Sequence, residues 1–361
     1  MDFKSPLLHY RVMKVAQKLI LTIAVLSLTF SVLAFSDDSD AVDKSGKCGD
    51  DLTWTFDESS GILRISGTGA MYNYQDEDSP FADNSDIKAV IIDVGATSIG
   101  AYAFPDCISL ASVTIPNSVT SIGFSSFAGC TSLASITIPD SVKSIGGYAF
   151  CDCTSLASIT LPDSVTSISG FSFSGCTSLE SVTLSKSLAI ISSGAFDGCE
   201  SLKSIILPDS VTSITAGAFY ECTSLASVIF PDSVKSIGYT SFAGCTSLAS
   251  IIIPDSVTSI AEYAFSGCTS LTSIDVGNCS GISINAFPDH KFYKEDGITE
   301  IEIGRNDFVG HKFKGDSITD MIRNDDSVPK SDNDRTVLIA VAVAIIIVLA
   351  AGAYWFVRHK H

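Results

Sequence analysis

The chain has 361 residues, 40 acidic and 22 basic side chains, and a formal net charge of −18. This balance argues against a nucleic-acid-binding protein, because binding to phosphates requires a basic surface. The mean hydropathy of +0.35 is high for a soluble domain, and two apolar segments, one near each end, account for much of it.

The first apolar segment runs from Leu19 to Phe35 and follows the basic residues Lys14 and Lys18. A basic region, an apolar core and a small residue at Ala34 are typical of a secretory signal peptide, which we predict over residues 1–35. The basic region is longer than usual, so an uncleaved signal anchor is the alternative.

The second apolar segment, residues 337–357, contains 21 residues and no charge. At about 1.5 Å per residue a helix of this length spans about 30 Å, the thickness of a bilayer core. Tyr354, Trp355 and the basic ending RHKH place the C-terminus inside. The sequence therefore predicts a single-pass type I plasma-membrane protein, with a polar linker at 324–336 and a cytoplasmic tail at 358–361.

Between these segments one cysteine recurs every 23 residues without insertion or deletion. A phenylalanine three positions before it and a leucine three positions after it keep the same step. A fixed period of this length predicts a solenoid, because one unit cannot bury its apolar side alone. The ladder cysteines are Cys107, Cys130, Cys153, Cys176, Cys199, Cys222, Cys245 and Cys268.

Each unit contains a strand such as SLASITI, then a Pro-Asp-Ser turn, a second extended piece and a corner such as YAFCDC. Strands of successive units are predicted to stack in parallel about 4.8 Å apart. The units occupy residues 93–276, and residues 277–323 are interpreted as a degenerate ninth repeat and a C-terminal cap. Within that cap, Phe292 to Gly304 has the pattern of a β-hairpin.

The repeated wording SIGxxAFxGCxSLxSITIP resembles the leucine-rich repeats of the BspA-like family of surface proteins, and Cys48 to Tyr74 resembles that family's N-terminal region. The resemblance implies a β-rich leucine-rich-repeat solenoid, which the period divides into eight units. Leu52, Trp54 and Phe56 before a glycine-containing turn predict an N-terminal β-hairpin cap within residues 36–92, and the apolar segment at 337–357 predicts one C-terminal transmembrane helix. The resemblance also implies exposure at the cell surface, and some members of the family are adhesins that bind host or extracellular-matrix proteins.

No motif for catalysis, cofactor binding or metal binding occurs, and the only histidines after the signal are His290, His311, His359 and His361. We therefore predict no enzyme, cofactor or metal site. A column of aspartates follows the turn prolines, and it is interpreted as turn capping rather than cation binding. These aspartates are Asp140, Asp163, Asp209, Asp232 and Asp255.

The ladder cysteines are interpreted as buried packing residues, because a 23-residue spacing matches no zinc site and in-register side chains do not point at each other. Disulfides and redox chemistry are the alternative. Cys48 and Cys279 lie outside the ladder, so we expect these two to react or become oxidised.

Two sets of varying positions are candidate binding residues. On the predicted strand face, Ile206, Ile229 and Ile252 replace the threonines of earlier units and would form an exposed apolar stripe, unless they reflect repeat drift. Aromatic residues after the Ser-Ile pairs form the second set, with corner packing as the alternative. They are Tyr102, Phe124, Tyr148, Phe171, Tyr239 and Tyr263.

Together these observations predict a cell-surface leucine-rich-repeat protein that binds extracellular proteins or other cell-surface macromolecules in adhesion. A structural coat protein without a specific ligand is the first alternative, and an enzyme with its site in the C-terminal cap is the second. Asn278 is a candidate glycosylation site, since it begins an Asn-x-Ser sequence. The oligomeric state is left open.

Overall fold

The computed structural model describes residues 44–75, 78–276, 279, 281–283, 285–289, 292–293 and 300–301. The predicted signal peptide, linker, transmembrane helix and tail lie outside these residues, as do Asn278, His290 and His311. Within the described part of the chain, every regular element is a β-strand, and no helix there is long and apolar enough to cross a membrane.

The predicted hairpin cap is present. It contains three antiparallel strands, β1 (Lys44–Lys47), β2 (Asp51–Asp57) and β3 (Ile62–Ala70). The third strand also pairs in parallel with β4 (Ala89–Ile92) and β5 (Ala96–Ile99). The cap is therefore continuous with the solenoid sheets and covers their first edge, which a repeat array requires.

The solenoid is built from coils of 23 residues, numbered here 1 to 8 from Asp93, with coil 5 at 185–207 and coil 6 at 208–230. Its first row of strands carries the leucine-rich segments. After β4, this row contains β6 (Ser112–Thr114), β9 (Ser158–Thr160), β11 (Ser181–Thr183), β13 (Ser204–Ile206), β15 (Ser227–Ile229), β17 (Ser250–Ile252) and β19 (Ser273–Asp275).

The second row carries the Ser-Ile pairs. After β5, it contains β7 (Ser121–Ile122), β8 (Ser144–Ile145), β10 (Ser167–Ile168), β12 (Ile190–Ile191), β14 (Ser213–Ile214), β16 (Ser236–Ile237), β18 (Ser259–Ile260) and β20 (Gly281–Ile282). Paired strands of neighbouring coils are parallel, and residues 23 apart lie opposite each other, as Ser158 and Ser181 do. Parallel stacking is confirmed.

A column of ten stacked phenylalanines runs through the core, with ring centroids of neighbouring coils 4.7–5.5 Å apart. It begins at Phe81 and ends at Phe287, so the structure extends the stacking beyond residues 93–276 in both directions. Trp54 of the cap lies edge-on against Phe81 at 5.4 Å and closes the first end of the column.

Polar side chains tie each coil to the one before it. The serine after each turn aspartate donates a hydrogen bond to a backbone carbonyl of the preceding coil, as Ser164 does to Val142 at 2.7 Å. Beyond the solenoid, β21 (Phe292–Tyr293) and β22 (Glu300–Ile301) pair antiparallel, which agrees with the predicted hairpin.

Candidate functional site

The isoleucine face lies on the first row of strands and consists of Ile206, Ile229 and Ile252. Ile206 and Ile252 are 63% and 54% exposed, and Ile229 between them is half-buried. Ile206 lies directly opposite Ile229 in the β13–β15 pair. Because side chains alternate along a strand, Ile205 and Ile251 point into the core and leave these isoleucines outside. The structure thus brings the predicted stripe together.

The aromatic residues of the second set lie at the corner that follows the second row of strands. Phe124, Tyr148, Tyr239 and Tyr263 are between 36% and 51% exposed, whereas Tyr102 and Phe171 are half-buried. Tyr220 is equally exposed at the same corner, but it follows the core phenylalanine rather than the Ser-Ile pair, and the sequence analysis therefore missed it.

One residue of this corner is left-handed in every coil, with φ between 48° and 63°. Glycine adopts this conformation freely, whereas other residues lose about 1–2 kcal/mol in it. Coils 5 and 6 carry glycine there, but four coils carry a large aromatic residue in spite of this cost. The residues, in coil order, are Tyr102, Ser125, Tyr148, Phe171, Gly194, Gly217, Thr240 and Tyr263.

The corner rings of coils 1 to 4 form a continuous ladder. Tyr102, Phe124, Tyr148 and Phe171 follow one another with ring centroids 5.0–5.4 Å apart. Tyr148 and Phe171 stack with an interplanar angle of 10°. Corner packing and exposure thus coexist, because each ring touches its neighbours and still contributes surface to solvent.

The ladder of aromatic rings is interrupted at Gly194 and Gly217, and a notch of about 330 Å³ opens at this place. Its walls include Phe171, Asp197 and Tyr220. A Cβ on Gly194 would lie 2.3 Å from the Phe171 ring, which shows that the ring extends over this glycine. A Cβ on Gly217 would meet nothing closer than 3.8 Å.

The carboxylate of Asp197 lines the notch, and Glu221 lies near enough to influence it. Burial, and secondly the charge of Glu221, raise the pKa of Asp197 above its ordinary value. Asp197 takes part in none of the ion pairs found within the described residues. Glu180 and Lys203, by contrast, form an exposed ion pair of 2.6 Å directly before β11 and β13.

The ladder cysteines are fully buried, and each thiol donates a hydrogen bond to the carbonyl of a phenylalanine 26 residues earlier, at 3.1–3.2 Å. All eleven cysteines are free. Burial raises the pKa of Cys107 and of Cys268 to about 12, so their reactive thiolate forms are rare at neutral pH. The packing interpretation of the ladder agrees with this geometry.

We expected Cys48 and Cys279 to be accessible and to react or become oxidised, and the structure contradicts this expectation. Both are free and completely buried, and burial raises the pKa of Cys48 to about 11. Their positions outside the ladder do not expose them, because the cap strands and the ninth turn cover them as the coils cover one another. The least buried thiol is instead Cys151, at the aromatic corner.

No group of three or more potential metal ligands occurs within the residues that the structure describes. One turn aspartate, Asp163, accepts a hydrogen bond at 3.0 Å from the backbone amide of Lys186 in the next coil. This bond reaches the next coil rather than the local backbone of the turn, so it differs from the turn capping that the sequence suggested.

Comparison with known proteins matches residues 77–203 and 189–316 to the BspA type leucine rich repeat region, with six copies. No curated protein matches the chain significantly in sequence. Among solved structures, a leucine-rich repeat protein from Bacteroides ovatus is similar, with 33% identity and a TM-score of 0.53. That match covers 64% of this chain and 66%, just under two thirds, of the Bacteroides protein.

Two further structures are similar at lower scores. The T. pallidum leucine rich repeat protein shares 29% identity over 59% of this chain and 91% of its own, with a TM-score of 0.43. A leucine rich cell surface protein from Faecalibacterium prausnitzii shares 24% identity over 66% of this chain and 89% of its own, with a TM-score of 0.36. The family match spans well over half of the sequence, and the chain therefore belongs to the BspA-type leucine-rich repeat family, a family of repeat proteins rather than a class of enzymes.

Proposed function

We propose that this protein is anchored in the plasma membrane as a single-pass type I protein and binds an extracellular protein or another cell-surface macromolecule through the isoleucine face. The observation that carries the proposal is the exposure of Ile206, which lies in register with Ile229, and of Ile252 at the same strand position of the next coil. Contiguous exposed apolar residues often mark a binding surface.

The strands beneath these side chains are suited to adhesion. β13 pairs with β15 and β17 pairs with β19, and the buried phenylalanine column holds both pairs in place, so little conformational entropy is lost when a partner binds. The corresponding position carries threonine in coils 1 to 4, for example Thr160 and Thr183. The apolar face is therefore confined to coils 5 to 7, as a local binding site would be.

A triple variant tests the isoleucine face: Ile206→Thr, Ile229→Thr and Ile252→Thr. Threonine already occupies this position in four coils, so the fold is expected to persist. Cells that display the full chain should lose adhesion to an extracellular-matrix coat or to neighbouring cells by tenfold or more. Each change removes about 1 kcal/mol of apolar burial at the interface.

The matched control replaces Thr114, Thr137 and Thr160 by serine, which gives three changes at the same strand position in other coils. This control should alter adhesion by less than twofold at equal surface amounts. If cells with and without the protein adhere equally, the structural coat function is favoured instead.

Membrane anchoring has a separate test. The full chain should remain in the membrane pellet after extraction at about pH 11, and a chain that lacks residues 337–357 should be released into the medium. Protease added to intact cells should cleave the repeat domain. Resistance of that domain to protease on intact cells, with cleavage after lysis, would contradict the proposed orientation.

A further inference from the structure

We propose that the notch in the aromatic ladder at coils 5 and 6 binds an arginine side chain of a basic protein partner. This site lies at the corner after the second row of strands, whereas the isoleucine face lies on the first row. The inference therefore goes beyond the function proposed above and does not depend on it. The residues that carry it are Phe171, Gly194, Asp197, Gly217, Tyr220 and Thr240.

Phe171 supplies a ring at one wall of the notch. It is the last member of the four-ring ladder, and Tyr148 of the preceding coil stacks on one of its faces at 5.0 Å. On the side of coil 5 the ring extends over the buried Gly194, and the part of the ring that this backbone leaves uncovered lines the notch. A guanidinium group stacks favourably on an aromatic face of this kind.

Asp197 supplies the charge. Its half-buried carboxylate lines the same notch, and Glu221 is close enough to raise the pKa of Asp197 by repulsion. A bound cation would relieve both the burial and the repulsion of these carboxylates. A ring and a carboxylate in one cavity are complementary to a cation with an extended planar head, which describes arginine better than lysine.

Gly217 keeps the notch open, whereas Gly194 makes room for the Phe171 ring. At the same left-handed position, Tyr148 and Phe171 show that the backbone accepts a large ring, so the corner conformation does not require glycine. Coils 5 and 6 are the consecutive coils in which a side chain is missing at this position. After Phe171, whose ring covers Gly194, the ladder has no ring at Gly217, and the notch lies there.

The charge of the corner selects the partner. From the residue after the Ser-Ile pair to the serine before the conserved leucine, none of the eight coils contains lysine or arginine. The same segments contain six acidic residues, which are Asp106, Asp152, Asp197, Glu200, Glu221 and Glu262. A basic protein segment is attracted along this entire corner, and the notch then holds one of its arginines.

The experiment measures the binding of fluorescein-labelled hexa-arginine to the detergent-solubilised full chain by anisotropy at 0.15 M salt. Asp197→Asn removes the charge and is expected to weaken binding tenfold or more. Gly217→Tyr fills the notch with the residue that coils 1, 3 and 8 carry there, and should weaken binding equally. Phe171→Gly, which copies coils 5 and 6, removes the ring and gives a second test should Gly217→Tyr fail to fold.

Glu200→Gln is the matched control, because it removes the same charge from coil 5 at a residue outside the notch. It should weaken binding by no more than about threefold, because Glu200 adds only to the general attraction of the corner. The triple isoleucine variant should change the affinity by less than twofold. Hexa-lysine should bind several times more weakly than hexa-arginine.

Three outcomes would overturn the proposal. The first is no binding of hexa-arginine to the wild-type chain. The second is an equal loss in Glu200→Gln and Asp197→Asn, which would indicate unspecific charge attraction. The third is binding of a neutral cello-oligosaccharide, blocked by Gly217→Tyr, without binding of hexa-arginine.

Discussion

At the scale of single residues, the ladder cysteine has two physical roles in each coil. It fills a small apolar space, and its S–H group donates to a phenylalanine carbonyl of the coil before. The Phe173 carbonyl, for example, receives the Cys199 thiol at 3.2 Å and a longer bond of 3.4 Å from the Cys176 amide. Cysteine combines apolar character with a weak donor, which neither alanine nor valine offers.

Cys199→Ala is expected to lower the free energy of unfolding by about 1–2 kcal/mol, because it removes this hydrogen bond and leaves a small void. Cys151→Ala, at the half-buried thiol of the corner, serves as control and should cost less. Urea denaturation of the two variants measures the difference. Equal losses would show that the buried thiol has no special contribution.

Thiol labelling tests the burial of the whole set. At pH 8 without denaturant, an alkylating reagent should modify only Cys151, and slowly, since burial and the charge of Asp152 raise its pKa to about 12. Asp152→Asn should lower this pKa and speed the labelling severalfold, because the thiolate is the reactive form. Mass spectrometry counts the modified cysteines. Rapid modification of Cys48 or Cys279 would contradict the structure.

At the scale of elements, the corner has a conformation that repeats as strictly as the sequence does. Besides the left-handed residue described above, a second residue four places later in each coil is also left-handed, for example Asp152 and Glu221. These two residues turn the chain from the second row of strands towards the next leucine segment. Because the backbone repeats, side chains at this corner align in columns. A glycine in place of a large side chain therefore opens a gap in its column.

The turn between β2 and β3 is a second element with a measurable property. The Asp57 carboxylate accepts hydrogen bonds from the amide and hydroxyl of Ser59, at 2.9 and 2.6 Å, and from Ser60. These bonds, the Ser59 hydroxyl first, lower the pKa of Asp57 to about 2. The folded state therefore favours the ionised form of this residue.

Asp57→Asn should destabilise the cap at pH 7. In the unfolded chain the pKa of aspartate is about 4. The stabilisation from Asp57 is therefore complete above about pH 4 and is lost as the pH falls through about 2. The difference in melting temperature between wild type and variant should shrink over that range. Asp51→Asn is the control. A difference in melting temperature between wild type and Asp57→Asn that does not change with pH would contradict the assignment.

At the scale of the whole molecule, cooperation between neighbours holds the array together. Each coil contacts chiefly the coils before and after it, and the phenylalanine column passes through all of them to Trp54 in the cap. The same alignment places like charges in columns, as in the turn aspartates, on a chain of net charge −18. Stability is therefore reduced by repulsion at low ionic strength.

Raising sodium chloride from about 0.02 to 0.3 M should increase the melting temperature by about 2–5 °C, because the shorter Debye length screens the repulsion between the acidic side chains. Circular dichroism at pH 7 measures the shift. The variant Asp209→Asn and Asp232→Asn, which removes two neighbouring charges of the column, should show a smaller salt effect. A melting temperature that does not change with salt would contradict the role of repulsion.

The sequence by itself determined the period, the buried columns, the parallel stacking and the exposed isoleucines. These features follow from short patterns that repeat without insertion, so that one unit predicts the others. It also determined that no basic residue lies at the aromatic corner. The cap hairpin could be predicted for a different reason, because Leu52, Trp54 and Phe56 recur at every second residue before a turn.

Only the tertiary structure decided the features that depend on contacts between coils. The thiol bonds to the preceding coil, the burial of Cys48 and Cys279, and the position of the Phe171 ring over Gly194 all involve residues more than twenty positions apart or covered by the cap. No local pattern records such contacts. They arise when the left-handed corners close each coil and place it on the one before.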